Sequence, residues 1–155
     1  MSRSLLAGLA GLFLLLAGPP AALAGEPAEF DAALAAELGA DDYGMRRYVM
    51  AFLRAGPDRS HDPEIAAALQ RGHLDHIRQM AEAGKLVMAG PFLDAGELRG
   101  IFIFAVDTIE EAEALAAADP AVQAGRLAME LRPWYGSAAL VKLGEIHASI
   151  ARSNP

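Results

Sequence analysis

Two hydrophobic periodicities alternate along this chain, and their order restricts the fold more than any other feature. Apolar residues recur at strand-like spacing in four stretches and at helical spacing in two stretches that lie between them. The predicted strands cover residues 45–53, 85–90, 99–106 and 126–132, and the predicted helices cover residues 62–83 and 108–118. The predicted order is therefore β-α-β-β-α-β.

Short motifs mark the ends of both predicted helices. Asp62 can cap the first helix, and Pro63 suits its first position because that position needs no N–H donor. Gly84 follows the last turn, where a left-handed cap favours glycine. Thr108 and Glu111 form a capping box at the start of the second helix.

This order is typical of an α+β, ferredoxin-like fold, in which an antiparallel sheet carries both helices on one face. The first predicted strand is apolar on both sides, so the second sheet face also needs cover. A second subunit usually supplies that cover in this architecture. We therefore expect a homodimer.

Residues 1–24 have the three parts of a cleavable signal peptide. Arg3 supplies positive charge, residues 5–17 are apolar, and Ala22 and Ala24 are the small residues that signal peptidase reads. The apolar stretch is too short to cross a bilayer comfortably, which takes about 20 residues. We expect cleavage after Ala24 and a periplasmic or secreted protein without membrane attachment.

The rest of the chain is predicted to form one main domain with an appendage at each end. Residues 25–44 form an N-terminal helical appendage, and residues 45–135 form the main domain. Residues 136–155 form a C-terminal helix and tail, for which Ser137 is a candidate cap.

Charge and composition exclude several classes of function. A net charge of −7 argues against nucleic acid as a partner. The chain has no Cys, which excludes Cys-type zinc sites, thiol nucleophiles and iron–sulfur clusters. It also has no Gly-rich phosphate loop, dinucleotide fingerprint or G-x-S-x-G motif, so we expect a small-molecule ligand and no organic cofactor.

Two histidines, His73 and His76, lie on the apolar stripe of the first predicted helix, together with Ile65, Leu69 and Ile77. A buried histidine needs a partner, and many are hydrogen-bonded core residues with no further role. Because imidazole exchanges protons near neutral pH, such a residue is also a candidate acid–base group.

The same histidines raise the alternative of a metal site. Two histidines three residues apart on a helix can share an ion with Asp119, and His147 or His61 can add a ligand. The HExxH context of a helical zinc site is absent, and Asp119 can simply stop a helix before Pro120. We therefore expect no metal.

Besides His76, two arginines and two aromatic residues are considered for binding a substrate. Arg54 and Arg59 flank the loop after the first predicted strand, where they can hold an anionic ligand or remain solvated. Trp134 and Tyr135 can line a pocket or fill the junction between sheet and tail. The predicted substrate-binding set is Arg54, His76, Trp134 and Tyr135.

Two longer motifs resemble those of the YCII-related proteins. The first comprises residues 72–77, with the sequence GHLDHI, and residues 82–91, with the sequence EAGKLVMAGP. The second comprises residues 118–125, with the sequence ADPAVQAG, followed by LRPW at residues 131–134. The resemblance covers about residues 48–134, which is most of the chain after the leader.

The resemblance implies a ferredoxin-like fold that dimerises through its sheets as a dimeric α/β barrel. It also implies a His–Asp pair with an acid–base role, which by motif position falls on His73 and Asp119. One member type removes chloride from a chlorinated hydroxyhydroquinone, and relatives of the fold include muconolactone isomerases and cofactor-free monooxygenases. The leader and the two terminal helices depart from the family pattern.

We therefore expect a small periplasmic enzyme that isomerises a small polar or cyclic compound or eliminates a group from it. A carboxylate bonded to one ring nitrogen fixes the tautomer and raises the basicity of the other nitrogen. His73 would then shuttle the proton while Asp119 orients it. The alternative is a non-catalytic ligand-binding or assembly module of the same fold, in which the two side chains do not converge.

Overall fold

The structure, a computed structural model, describes residues 29–153, and its elements follow the predicted order. The predicted signal peptide lies outside the described residues. The strands are β1 Met45–Ala55, β2 Leu86–Pro91, β3 Leu98–Phe104 and β4 Leu127–Ser137. The helices are α1 Ala32–Leu38, α2 Pro63–Glu82, α3 Ile109–Ala117, α4 Pro120–Gln123 and α5 Leu143–Ile150, with a 3-10 helix at Ala138–Lys142.

The four strands form one antiparallel sheet in the order β2-β3-β1-β4, which is the ferredoxin-like arrangement. The main core lies between one sheet face and helices α2 and α3, and its fully buried members are Val49, Ala51, Leu53, Met80, Leu86, Phe102, Phe104, Val106 and Ala112. The predicted fold class is therefore confirmed.

The caps predicted for the two long helices are present. A carboxylate oxygen of Asp62 accepts from the N–H of Ile65 at 2.9 Å, and Thr108 Oγ1 accepts from the N–H of Glu111 at 3.2 Å. Gly84 has a φ of 67°, as expected of a left-handed residue after a helix. No helix within residues 29–153 is long and apolar enough to cross a membrane.

Strand β4 is longer than predicted. The sequence analysis ended it at Arg132, whereas the strand continues through Pro133 to Ser137 and pairs with β1 along its whole length. The prediction was wrong because β4 is an edge strand in the observed sheet. A proline is tolerated there, since one side of an edge strand needs no ladder donor.

The C-terminal segment covers part of the second sheet face. Tyr48 and Ile103 point away from the main core yet are only 1% and 2% exposed. The 3-10 helix contacts both β1 and β2, and Tyr48 donates its hydroxyl to the carbonyl oxygen of Ser137 at 2.9 Å. Part of the cover that we expected from a second subunit thus comes from the chain itself.

The N-terminal helix α1 packs on this C-terminal segment. Leu38 is buried, and its carbonyl oxygen accepts from Arg46 Nη1 at 3.2 Å. Glu37 pairs with Lys142 of the 3-10 helix at 2.7 Å. The predicted last helix is divided in two, a 3-10 helix followed by α5, and Ser137 caps the first part through its hydroxyl.

Candidate functional site

His73 in α2 and Asp119, which immediately precedes α4, form a buried pair. Nδ1 of His73 lies 2.6 Å from Oδ2 of Asp119, and the two residues are 7% and 0% exposed. The other carboxylate oxygen, Oδ1, accepts from the backbone N–H of Ala121 at 2.8 Å. Both oxygens of Asp119 therefore have donors, and Nδ1 is the nitrogen of His73 that holds a proton.

Local sequence explains why the two residues meet. Asp119 caps α4, and Pro120 occupies its first position, where a missing N–H costs nothing. Gly72 precedes His73 and faces Pro120, because a Cβ added at Gly72 would lie 3.1 Å from Cγ of that proline. The glycine thus permits the close approach of α2 and α4 that a 2.6 Å hydrogen bond requires.

Electrostatics keep the Asp119 carboxyl ionised. Burial by itself would raise its pKa, but the hydrogen bond from His73, the charge of that ring and the N–H of Ala121 outweigh burial and lower the pKa below 3.8. At neutral pH the side chain is therefore a carboxylate, which accepts the Nδ1 proton and fixes the ring tautomer.

The second ring nitrogen of His73, Nε2, is the ring atom left for a ligand once Nδ1 is bonded to Asp119. It makes no hydrogen bond with residues 29–153, yet within that range the only fully enclosed side-chain N or O atom without a partner is His61 Nδ1. Nε2 is therefore in contact with solvent. Since His73 lines a cavity of about 410 Å³, this cavity gives access to the nitrogen.

The cavity lining combines apolar and basic residues. The ring of Phe102 stacks on the imidazole of His73, with centroids 5.9 Å apart and planes 17° apart. The other apolar residues come from all four strands, from α2 and from α4, and they include Leu53, Leu74, Ile77, Pro91 and Leu127. The polar lining side chains are Arg59, Gln70, Arg99 and Arg126.

Two predicted substrate-binding residues have other partners. Nε2 of His76 donates to the carbonyl oxygen of Leu115 at 2.9 Å, which joins α2 to α3. Arg54 pairs with Glu130 at 3.1 Å and with Glu97 at 3.7 Å. Neither His76 nor Arg54 lines the His73 cavity.

The other two, Trp134 and Tyr135, lie at the opposite end of the sheet. Trp134 packs on Tyr48, with ring centroids 5.7 Å apart, and Tyr135 donates its hydroxyl to Asp41. Along β1, Leu53 of the cavity lies five residue steps beyond Tyr48, or about 17 Å away at strand spacing. These aromatic residues line a separate, larger cleft of about 830 Å³.

The histidines do not converge on a shared ligand position. Residues 29–153 contain no group of three His, Cys, Asp or Glu side chains placed to hold a metal ion. His73 and His76 bond to different helices, and His147 lies on the exposed helix α5. His61 lies beside Asp58, with Nδ1 3.7 Å from Oδ1.

The sequence analysis missed three polar residues of the cavity, namely Gln70, Arg99 and Arg126. A signal for Arg99 was present, because an isolated glycine inside a strand pattern, such as Gly100, indicates a bulge or a close backbone approach. The register of β3 against β1 does shift there, since Leu53 pairs with Gly100 whereas Arg54 pairs with Leu98. Arg99 is the additional residue.

Comparison with known proteins gives a family and a distant structural likeness. No curated protein matches the chain. Among solved structures, 5-chloro-2-hydroxyhydroquinone dehydrochlorinase (TftG) from Burkholderia phenoliruptrix AC1100, in complex with 2,5-dihydroxybenzoquinone, matches with a TM-score of 0.43 and 19% identity, over 56% of this chain and 92% of that chain. The YCII-related domain matches residues 49–135, which confirms the resemblance found in the sequence. The chain therefore belongs to the YCII-related family.

Proposed function

We propose that the protein is a small acid–base enzyme that moves a proton on a small polar or cyclic compound. The observation that carries the proposal is the 2.6 Å bond between His73 Nδ1 and Asp119 in a residue that lines the cavity, from which we infer that Nε2 is the atom available to a ligand. With the proton on Nδ1, Nε2 has a free lone pair and accepts a proton from a bound molecule. Asp119 orients the ring and stabilises the imidazolium that forms.

The lining of the cavity favours simple proton transfer over covalent catalysis. Within residues 29–153 it includes no Ser, Thr, Tyr or Lys, so His73 is the only side chain there with a common nucleophilic atom. Removal of a proton from carbon breaks a C–H bond and leaves the electron pair on the substrate. That pair either shifts a double bond, which is then reprotonated, or expels a neighbouring leaving group. Isomerisation and elimination are the reaction classes proposed.

The alternative function is a non-catalytic ligand-binding or assembly module. That reading predicts a His73 and an Asp119 that do not converge, or a pair sealed from solvent. The pair converges at 2.6 Å, and His73 lines a cavity of about 410 Å³. Both features favour the enzyme.

The proposed site of action is the periplasm or the exterior, after cleavage behind Ala24. The sequence of residues 1–24 supports this part of the proposal. Expression of the full gene, followed by intact-mass measurement of the protein recovered from each compartment, provides the test. We expect an exported species that begins at Gly25, and an uncleaved protein confined to the cytoplasm would contradict export.

The tautomer of His73 is the most direct test of the pair. In an Asp119→Asn variant, the N–H of Ala121 still requires an acceptor, so the amide oxygen takes the Oδ1 position and the NH₂ group faces His73 Nδ1. Nδ1 then has to accept rather than donate. We expect long-range ¹H–¹⁵N NMR spectra to show a proton on Nδ1 in the wild type and on Nε2 in the variant.

His76 serves as the internal control, because its Nε2 donates to Leu115 in both proteins and its tautomer should not change. An unchanged tautomer at His73 would show that Asp119 does not orient the ring, and the proposed mechanism would fail.

In a screen of small cyclic hydroxy and keto compounds, we expect His73→Gln to lower turnover by about 10²–10⁴-fold with the fold retained.

A further inference from the structure

The His73 cavity is a basic site in an acidic protein. The chain carries a net charge of −7, yet the cavity lining includes three arginines. Within residues 29–153, no Asp or Glu is among the residues that line it. Guanidinium groups collected around a concave apolar surface form an environment that attracts an anion.

Two of these arginines have no side-chain partner within residues 29–153. Arg59 donates from Nη1 to the carbonyl oxygen of Arg126 at 3.1 Å, so one of its donors is occupied. The guanidinium groups of Arg99 and Arg126 take part in no side-chain hydrogen bond or ion pair with residues 29–153. Five N–H donors on each are therefore available to a ligand.

One acidic residue, Asp58, is close enough to Arg126 to feel its charge, but its Oδ1 has other hydrogen-bond partners. Its Oδ1 accepts from both the N–H and the hydroxyl of Ser60, at 2.9 and 2.7 Å. These bonds are the main cause of its lowered pKa, and the attraction of Arg126 is a minor contribution. Asp58 thus lies near Arg126 without forming an ion pair with it.

Backbone irregularities place both arginines at the cavity. Arg99 is the additional residue of the β3 bulge, and a bulge redirects a side chain from its regular face. Arg126 follows Gly125, which has a φ of 68° and ends the turn after α4. Phe102 and Leu127 are among the apolar residues of the same lining.

We propose that the ligand of this cavity is a small organic carboxylate with an apolar body, held by Arg99 and Arg126 beside His73. The inference rests on the proposed function only in taking the His73 cavity as the binding site. The carboxylate oxygens accept from the two guanidinium groups, and the apolar body lies against Phe102 and Leu127. When His73 removes a proton next to the carboxylate, the same guanidinium groups stabilise the negative charge that develops on its oxygens.

The test compares benzoate with benzamide, which has nearly the same shape and no charge. Each is titrated into the protein lacking residues 1–24, and His73 ring signals and backbone amides are followed by NMR. We expect benzoate to bind saturably in the millimolar range or tighter, and benzamide to bind at least about tenfold more weakly.

Arginine variants localise the binding. We expect Arg99→Gln and Arg126→Gln each to weaken benzoate binding about tenfold, because each removes a charge-assisted pair. Arg47→Gln is the matched control, since Arg47 lines the other cleft and not this one. Folding of each variant is checked by its thermal transition.

Several outcomes would overturn the proposal: equal binding of benzoate and benzamide, no benzoate binding at tens of millimolar, or full affinity in both arginine variants. The Asp119→Asn tautomer experiment separates this result from the proposed enzyme. If benzoate binds but the tautomer of His73 does not change in the variant, the cavity is an anion site and the acid–base pair is rejected. If the tautomer of His73 changes but benzoate does not bind, the acid–base pair is supported and the carboxylate ligand is rejected.

Discussion

The two carboxylate oxygens of Asp119 have different partners and different functions. Oδ2 holds the ring of His73, and Oδ1 caps α4 through the N–H of Ala121. The residue that orients the proton carrier is therefore also the residue that fixes the start of a helix beside it. Replacement of Asp119 by a residue without a side-chain acceptor would disturb both, so the amide variant is the informative one.

The stability of the fold should depend on the ionisation of Asp119. Its pKa is lowered in the folded protein, so the folded state binds this proton less tightly than the unfolded chain does. The resulting stabilisation is present above the ordinary value of 3.8 and is lost as pH falls through the lower folded pKa. We expect Asp119→Asn to be less stable than wild type at neutral pH, with a gap that narrows below about pH 4.

Urea unfolding at a series of pH values measures this gap. The difference in the free energy of unfolding between wild type and Asp119→Asn is plotted against pH. A difference that stays constant from about pH 7 to pH 3 would contradict a stabilising, ionised Asp119.

Sequence predicted the pair only in part. Helical spacing located His73 on a buried stripe, and the Asp-Pro dipeptide marked Asp119 as a helix boundary, but 46 residues separate them. Their pairing came from the family resemblance, because periodicity contains no information about contacts between distant helices. Arg59 was named from the sequence, but Arg99 was missed for a related reason, since the bulge that admits it depends on register with β1.

At the scale of secondary structure, a backbone contact between two loops supports the segment that carries Arg126. Gly56, after β1, donates to the carbonyl oxygen of Arg126 at 2.8 Å, and Asp58 donates to that of Gly125 at 2.9 Å. A Cβ at Gly56 would lie 2.1 Å from the carbonyl oxygen of Gly125. No L side chain fits there without backbone movement.

We therefore expect Gly56→Ala to lower the free energy of unfolding by about 1–3 kcal/mol, as other overpacked sites do. The same displacement should weaken benzoate binding, since it moves Arg126. Gly144→Ala is the matched control, because nothing lies within 4 Å of its added Cβ. Chemical denaturation of both variants provides the measurement. Equal free energies of unfolding for the two variants would show that the loops accommodate the added methyl group without loss of stability.

The elements themselves were largely predictable, and their ends were less so. Caps such as Asp62 and Thr108 act through neighbouring residues, which is why local motifs located them. The end of β4 was mispredicted because tolerance of Pro133 depends on whether the strand is an edge. The same register with β1 puts Trp134 and Tyr135 at the far end of the sheet from Leu53, and their proposed role in substrate binding stays a prediction.

At the scale of the whole molecule, the second sheet face is only partly covered. The C-terminal segment buries Tyr48 and Ile103, while Met50, Phe52 and Ile101 remain half-buried on the same face. Apolar side chains at the centre of a sheet face favour contact with a second copy. A homodimer through this face remains our prediction.

Sedimentation of the protein lacking residues 1–24 tests it. We expect a mass near twice that of one chain, and we expect Phe52→Asp to shift the equilibrium to the monomer, because it buries a charge at the contact. Leu93→Asp is the control, since Leu93 is 98% exposed in a loop. A wild-type protein that stays monomeric at high concentration would contradict the prediction.

The position of Pro133 also affects the tendency of the protein to aggregate at high concentration. β4 is an edge of the sheet and is 11 residues long, a length at which an open edge is a template for unwanted strand addition. Pro133 lies near its middle, where it offers no N–H to an incoming strand and its ring obstructs close approach. A second chain could therefore add to the sheet only over short stretches on either side of the proline. Pro133 thus disfavours fibrous aggregation.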